Sequence, residues 1–181
     1  MNWYADKNIK NAPDCDNNIL DAKMNVVLIS PEIAPNAGNI SRLCYATNTI
    51  LHIVGEPGFK IETDKHFKRA AVDYWDRLDI RKYKDFDAFI ETFTQTNHAA
   101  PRVIMTSTNG AGLYFDFEYK RGDCIVFGPE SSGIPPELIE RYRDSSVRIP
   151  LNDKVRSLNL STACGIILFH AIYSISGRRP L

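Results

Sequence analysis

Short runs of aliphatic and β-branched residues alternate with stretches of helical periodicity along this chain. Strands are predicted at Val26–Ile29, inside the run Asn25–Ile29 (NVVLI), and at Leu51–Val54, Val103–Thr106, Cys124–Phe127 and Val147–Ile149. Between and after them the spacing predicts helices near Ala37–Asn48, Asp64–Ala71, Phe86–Thr94 and Pro136–Tyr142, and a last one from about Ser157 to Ser174. In the first helix, Ile40, Leu43, Cys44 and Thr47 share one face, while Asn39 and Arg42 share another. This alternation predicts an α/β domain with a buried, mainly parallel sheet flanked by helices.

The polar, glycine-bearing segments fall where such sheets hold ligands, beyond the carboxyl ends of strands. PEIAPNAGNISR follows the first strand, TSTNGAG the Val103 strand, GPESSG the Cys124 strand and PLNDKVRS the Val147 strand, so these loops can share one site. In the first loop Asn36 is placed as a helix N-cap, and Gly38 allows close backbone approach. Arg42 then falls in the first two turns, where the helix dipole disfavours a cation. A task in binding anions accounts for it better than a bare exposed arginine does. GPESSG lacks the later glycines of a dinucleotide fingerprint and the GK[ST] of a Walker loop. Alone it reads as a turn closed by Gly133, with Pro136 opening a helix and Glu137 in its first turn.

The stretch Ile149–Thr162 (IPLNDKVRSLNLST) runs a polar loop, with Asn152, Asp153, Lys154 and Arg156, straight into the last helix. Ser157 is placed as the N-cap. Asn159 and Ser161 then join it in the first turn, near free backbone N–H groups that suit an anionic or polar ligand. Leu160, Ala163, Cys164, Ile167 and Ala171 form the apolar face behind them. DKHFKRAAVDY places Lys65, Lys68 and Arg69 on one helical side near Tyr74 and Trp75, a mixture that suits a nucleic-acid backbone as well as a merely solvated face.

At 181 residues the chain has room for one compact domain, read here as residues 24–181. Residues 1–23, rich in Asn, Asp and Lys, read as an N-terminal extension outside that core, and Met24 is a second candidate start. Twenty-two basic residues balance twenty-two acidic ones, so an anionic partner must be held by a local patch. The four cysteines, Cys15, Cys44, Cys124 and Cys164, are too far apart for a zinc or dithiol motif and read as reduced core residues. His52, His66, His98 and His170 show no metal-ligand spacing either, so no metal is expected. No apolar run approaches the roughly 20 residues of a membrane span, and the N-terminus has acidic residues and no h-region. The expectation is a cytoplasmic protein.

Taken in order, NVVL with PEIAPNAGNISRLC, LHIV with PGF, DKHFKRAAVDY, FGPESSGIP and RIPLNDKVRSLNLSTA resemble the SPOUT methyltransferases. Within them the likeness is to the small tRNA wobble-nucleotide 2′-O-methyltransferases of the TrmL (YibK) type. It covers nearly the whole chain from Met24 to about Gly177. The resemblance implies a parallel α/β sheet whose C-terminal third is threaded into a deep trefoil knot, against the general rule that chains are unknotted. It also implies S-adenosylmethionine as cofactor, tRNA bound at its anticodon loop as substrate, and an obligate homodimer. Carried over by position, Thr106, Gly128, Ile149 and Ser157 contact the cofactor. Arg42 matches the arginine associated with catalysis, and Asn36, Glu130 and Asn159 match the polar positions around it. Lys65, Lys68 and Arg69 meet tRNA. Departures are Ser131-Ser132, where relatives often carry Thr-Arg, and Phe169, where Tyr is common.

Other classes share this fold. A catalytically silent RNA-binding member would keep the basic helix and lose the cofactor, against which Gly128, Ser157 and Asn159 speak. A base-methylating relative carries an additional C-terminal domain, and many ribosomal-RNA ribose methylators carry a separate N-terminal RNA-binding domain; neither is expected here.

Overall fold

The computed structural model describes residues 20–72 and 77–176. The 1–23 extension falls almost wholly outside the described residues, as do Cys15, Tyr74 and Trp75. Seven strands form one sheet: β1 (Asn25–Ile29), β2 (Ile50–Val54), β3 (Ile80–Tyr83), β4 (Val103–Thr106), β5 (Gly112–Leu113), β6 (Cys124–Phe127) and β7 (Ser146–Arg148). Their spatial order is β3-β2-β1-β6-β4-β7-β5, and every pairing is parallel. The helices are α1 (Ala34–Ala46), α2 (Lys65–Ala71), α3 (Phe86–Asn97), α4 (Pro136–Arg141) and α5 (Leu160–Ile175).

The strands read as continuous apolar runs because both faces are covered, and the side-chain alternation divides them between two cores. Val26, Leu28, Ile125 and Phe127 pack with Ile40 and Cys44 of α1, Phe67 of α2, and Cys164, Ile167 and Leu168 of α5. Val27, Val54, Met105, Cys124 and Val126 face the other way, against Phe86 and Phe89 of α3 and against Ile134. Gly38 is the point at which α1 meets α2. A Cβ there would stand 2.5 Å from the Phe67 carbonyl oxygen and 2.7 Å from Ala70 Cβ, so the close approach is to a neighbouring helix.

Two strands lie outside the sequence prediction. β3 contains Arg81 and Lys82, which break an apolar run; as the sheet's edge it sends those side chains toward water. β5 is a two-residue strand that pairs with β7 at the opposite edge. Among the described residues, no helix is long and apolar enough to cross a membrane.

Two predicted helix starts are corrected. α1 begins at Ala34 rather than Ala37, so Asn36 is inside the helix and not its N-cap. The cap position is held by Ile33, whose side chain caps nothing, and Pro35 fits the first turn because its missing N–H has no partner there to lose. The earlier start also moves Arg42 past the helix midpoint, which removes the dipole argument made for it. At the other end of the chain α5 begins at Leu160, and its cap is Asn159, not Ser157: Asn159 Oδ1 accepts from the Ser161 and Thr162 N–H groups at 2.9 and 3.3 Å.

Candidate active site

A cavity of about 770 Å³ opens at the carboxyl ends of β4, β6 and β7. All four polar loops border it: Ile33 and Asn36 from the first, Thr106–Asn109 from the second, Gly128–Gly133 from the third, and Ile149, Leu151 and Arg156–Asn159 from the fourth. Of the predicted site residues it therefore gathers Asn36, Thr106, Gly128, Glu130, Ile149, Ser157 and Asn159. Arg42 is half-buried on α1 and not among the lining residues; Lys65 and Arg69 are exposed and Lys68 half-buried on α2, away from the cavity wall.

The third loop is shaped by glycine. A Cβ on Gly128 would lie 2.3 Å from both the Gly133 carbonyl carbon and the Ile134 nitrogen, so the loop folds back in contact with its own start. Gly133 supplies the left-handed turn, at φ +72°, and its N–H donates to the Pro129 carbonyl at 2.9 Å. The Thr106 hydroxyl donates to the Val126 carbonyl at 2.8 Å and ties the end of β4 to β6 beside this turn.

Glu130 projects from that loop to the start of α1. Its Oε2 accepts the Glu32 N–H at 2.8 Å, while its Oε1 accepts the Ile33 N–H at 3.3 Å and the Asn36 side-chain amide at 3.0 Å. It thus accepts the N–H groups of the two residues that lead into a helix with no side-chain cap of its own. Asn36 in turn accepts from Asn159 Nδ2 at 2.8 Å. Glu130, Asn36 and Asn159 form one line of hydrogen bonds that joins the third loop to the N-termini of α1 and α5. With Asn36 and Asn159 each fixed on both amide atoms, their orientations follow from the network. All three act on the frame of the cavity, and the Glu130 carboxylate already has donors on both oxygens.

Glu32, which the sequence reading did not single out, returns the contact. Its carboxylate accepts the Ser131 N–H at 2.8 Å and the Ser131 hydroxyl at 2.7 Å. Two glutamates almost a hundred residues apart therefore each hold backbone of the other's segment, Glu130 the Glu32 N–H and Glu32 the Ser131 N–H. Nothing local marks Glu32: it reads as one more acid before a helix. Ser131 supplies the hydroxyl that this contact uses.

Opposite, the turn between β4 and β5 is bound closely to β7. Ser107 N–H donates to the Val147 carbonyl at 3.0 Å, Ala111 N–H to Ser146 Oγ at 2.9 Å, and Arg148 to the Gly110 carbonyl at 2.7 Å. A Cβ on Gly110 would lie 2.4 Å from the Val147 carbonyl. This seats Ile149, the first residue beyond β7, at the cavity wall.

A parallel sheet with a ligand-sized cavity at its carboxyl edge is the arrangement of open α/β ligand-binding proteins. The chain belongs to the SpoU rRNA methylase family, whose model matches residues 23–169. A tRNA (cytidine(34)-2′-O)-methyltransferase of Burkholderia cenocepacia is 39% identical over 148 residues, which cover 81% of this chain and 92% of that protein. One of the same name from Aeromonas hydrophila is 36% identical over 149 residues, covering 82% and 92%. A solved structure concerned with 2-OH methylation of C/U34 on tRNA superposes with a TM-score of 0.78 at 35% identity, over 86% of this chain and 97% of its own. An AdoMet-bound rRNA methyltransferase from Sinorhizobium meliloti gives 0.70 at 28% identity, over 83% of this chain and 56% of its own.

Proposed function

We propose that this chain transfers a methyl group from S-adenosylmethionine to the ribose 2′-hydroxyl of the wobble nucleotide of tRNA; the names of its relatives give 2′-O-methylation of tRNA cytidine 34 for those proteins. The observation that carries this is the cavity shared by four loops and pinched at Gly128. Its size lies within the roughly 300–1,000 Å³ of small-molecule sites. Apolar walls from Ile134, Ile149, Leu151 and Leu158 beside the backbone of Gly128–Gly133 suit a flat base with a polar edge. Thr106, Gly128, Ile149 and Ser157 would hold the cofactor, which supplies a methyl group already activated on a sulfonium.

The protein's own tasks are to bring the ribose oxygen into line and to ease loss of its proton. Arg42 is our candidate for the second task. A guanidinium, the most strongly basic side chain, does not serve as a free base, so its contribution is to position RNA phosphate and ease loss of the hydroxyl proton electrostatically. Glu130, Asn36 and Asn159 keep the loops in register around the reacting atoms. Lys65, Lys68 and Arg69 of α2 give the tRNA backbone a basic face.

Four further features belong to this reading. The C-terminal third forms a deep trefoil knot, for which the contact of the 107–111 turn with β7 is the local support. The protein works as a homodimer: α5 is apolar on nearly every side, and it exposes Phe169 at 52% while neighbouring α1 exposes Tyr45 at 39%. Residues 24–181 make up the catalytic domain, preceded by an extension, and the protein works in the cytoplasm. The test is mass mapping of tRNA nucleosides from cells with and without the protein, and after incubation in vitro, with Arg42→Lys run in parallel. Wobble ribose methylation lost in vivo and restored in vitro is expected, with Arg42→Lys strongly impaired because lysine loses the forked contact. Unchanged wobble methylation sinks the assignment.

A further inference from the structure

Arg156 lies at the mouth of the cavity, just before Ser157, and is the only basic residue among the described residues that line it. The acidic ones are Glu130, whose oxygens are already engaged, and Glu140, which pairs with Arg143 at 3.4 Å. Other arginines have work within the fold: Arg81, Arg102, Arg121 and Arg141 each meet an aspartate, and Arg148 meets carbonyls. Arg156 is exposed and makes no hydrogen bond or ion pair to another described residue. The loop that carries it is folded by an Asx turn, in which Lys154 N–H donates to Asn152 Oδ1 at 3.0 Å, and Lys154 adds a second exposed cation beside it.

We propose that Arg156 seats a backbone phosphate of the substrate RNA at the cavity mouth, next to the ribose to be methylated. The inference rests on the methyltransferase reading and names a contact within it. A guanidinium's forked donors match a phosphodiester in two parallel hydrogen bonds. Its solvent-facing position fits a strand that arrives from outside better than the carboxylate of a cofactor held among the loops. Such a contact fixes the strand's register without reading its bases.

The test compares wild type, Arg156→Ala and Arg156→Lys in binding an anticodon stem-loop RNA over a range of salt, with S-adenosylmethionine affinity measured by calorimetry. Arg156→Ala is expected to weaken RNA binding about tenfold and to lower the slope of log K against log salt by about 0.7. Lysine restores the slope and only part of the affinity. S-adenosylmethionine affinity and the melting temperature stay within error of wild type. A stem-loop with uncharged methylphosphonate linkages flanking the wobble nucleotide loses affinity for wild type but not for Arg156→Ala. RNA binding by Arg156→Ala equal to wild type at every salt overturns the proposal. So does a loss of S-adenosylmethionine affinity as large as the RNA loss, since that would place the cofactor's carboxylate on Arg156. Failure of the wild-type protein to bind RNA or methylate tRNA sinks the functional reading itself; intact wild-type methylation with an unaffected Arg156→Ala sinks this inference alone.

Discussion

Replacing Glu130 by glutamine asks whether this carboxylate holds the frame of the cavity or takes part in the chemistry. The carboxylate accepts from the Glu32 and Ile33 N–H groups and from Asn36 Nδ2. Glutamine can keep the oxygen facing Ile33 and Asn36, but its NH2 then faces the Glu32 N–H, donor against donor. One charge-assisted bond is worth about 1.5–3 kcal/mol, and water reaches the partly exposed backbone groups, so we take the low end and expect a loss of about 2 kcal/mol. For a chain of this size that lowers the melting temperature by roughly 4–8 °C. Alanine, which also releases Asn36 and through it Asn159, should cost about 3 kcal/mol. In a double-mutant cycle with Asn36→Ala, a coupling of about 1 kcal/mol is expected. The assay is thermal and urea unfolding of the five proteins (wild type, the two Glu130 variants, Asn36→Ala and the double mutant), with methyl transfer measured well below each melting point. If both Glu130 variants melt within about 1 °C of wild type and yet lose all transfer activity, the carboxylate acts on the reacting atoms and the frame argument is refuted.

Two other predictions follow from buried geometry. His52 accepts from the Tyr83 hydroxyl at 2.9 Å and donates to Asn25 Oδ1 at 3.0 Å, an assignment fixed by the Asn25 amide's donation to the Gly122 carbonyl. Burial, with the nearby Arg81 adding to it and Asp79 partly opposing, lowers its pKa to about 4. The unfolded chain therefore takes up a proton that the folded protein refuses: this stability is complete above about pH 6.5 and falls away toward pH 4, by about 3 kcal/mol in all. Urea unfolding at both ends of that window should show a steeper acid loss for wild type than for His52→Gln; equal losses would remove His52 from the account. Gly128→Ala should cost on the order of 2–3 kcal/mol, because the new methyl meets backbone rather than a side chain that can turn aside, and should weaken S-adenosylmethionine binding at least tenfold by calorimetry. Unaltered binding there would mean that the pinched loop does not shape the cofactor seat.

Most of the sheet was legible because its central strands are apolar on both faces, a pattern that survives without knowledge of neighbours. β3 was not, since an edge strand can carry Arg81 and Lys82 and so resembles a polar connector. The loops that gather at the cavity were legible from their place after strands. The caps were not. Asn36 looks like a local cap, but the acceptor that serves α1 comes from Glu130, far along the chain, and a long-range partner leaves no trace in local spacing. Ser157 and Asn159 are both good cap residues two positions apart; the choice fell to the residue whose oxygen reaches the Ser161 and Thr162 N–H groups. Glu32 was missed for the same reason as Glu130's role.

β7 sits in the sheet between β4 and β5, both of which precede it in the chain by more than thirty residues. During synthesis those two flanks leave the ribosome before the strand that must lie between them exists. They cannot settle against each other first without shutting it out, so this edge of the sheet has to stay open until the last third of the polypeptide is available. Completion of the sheet is therefore a late, long-range event that local helix formation cannot hurry, and refolding should be governed by this insertion.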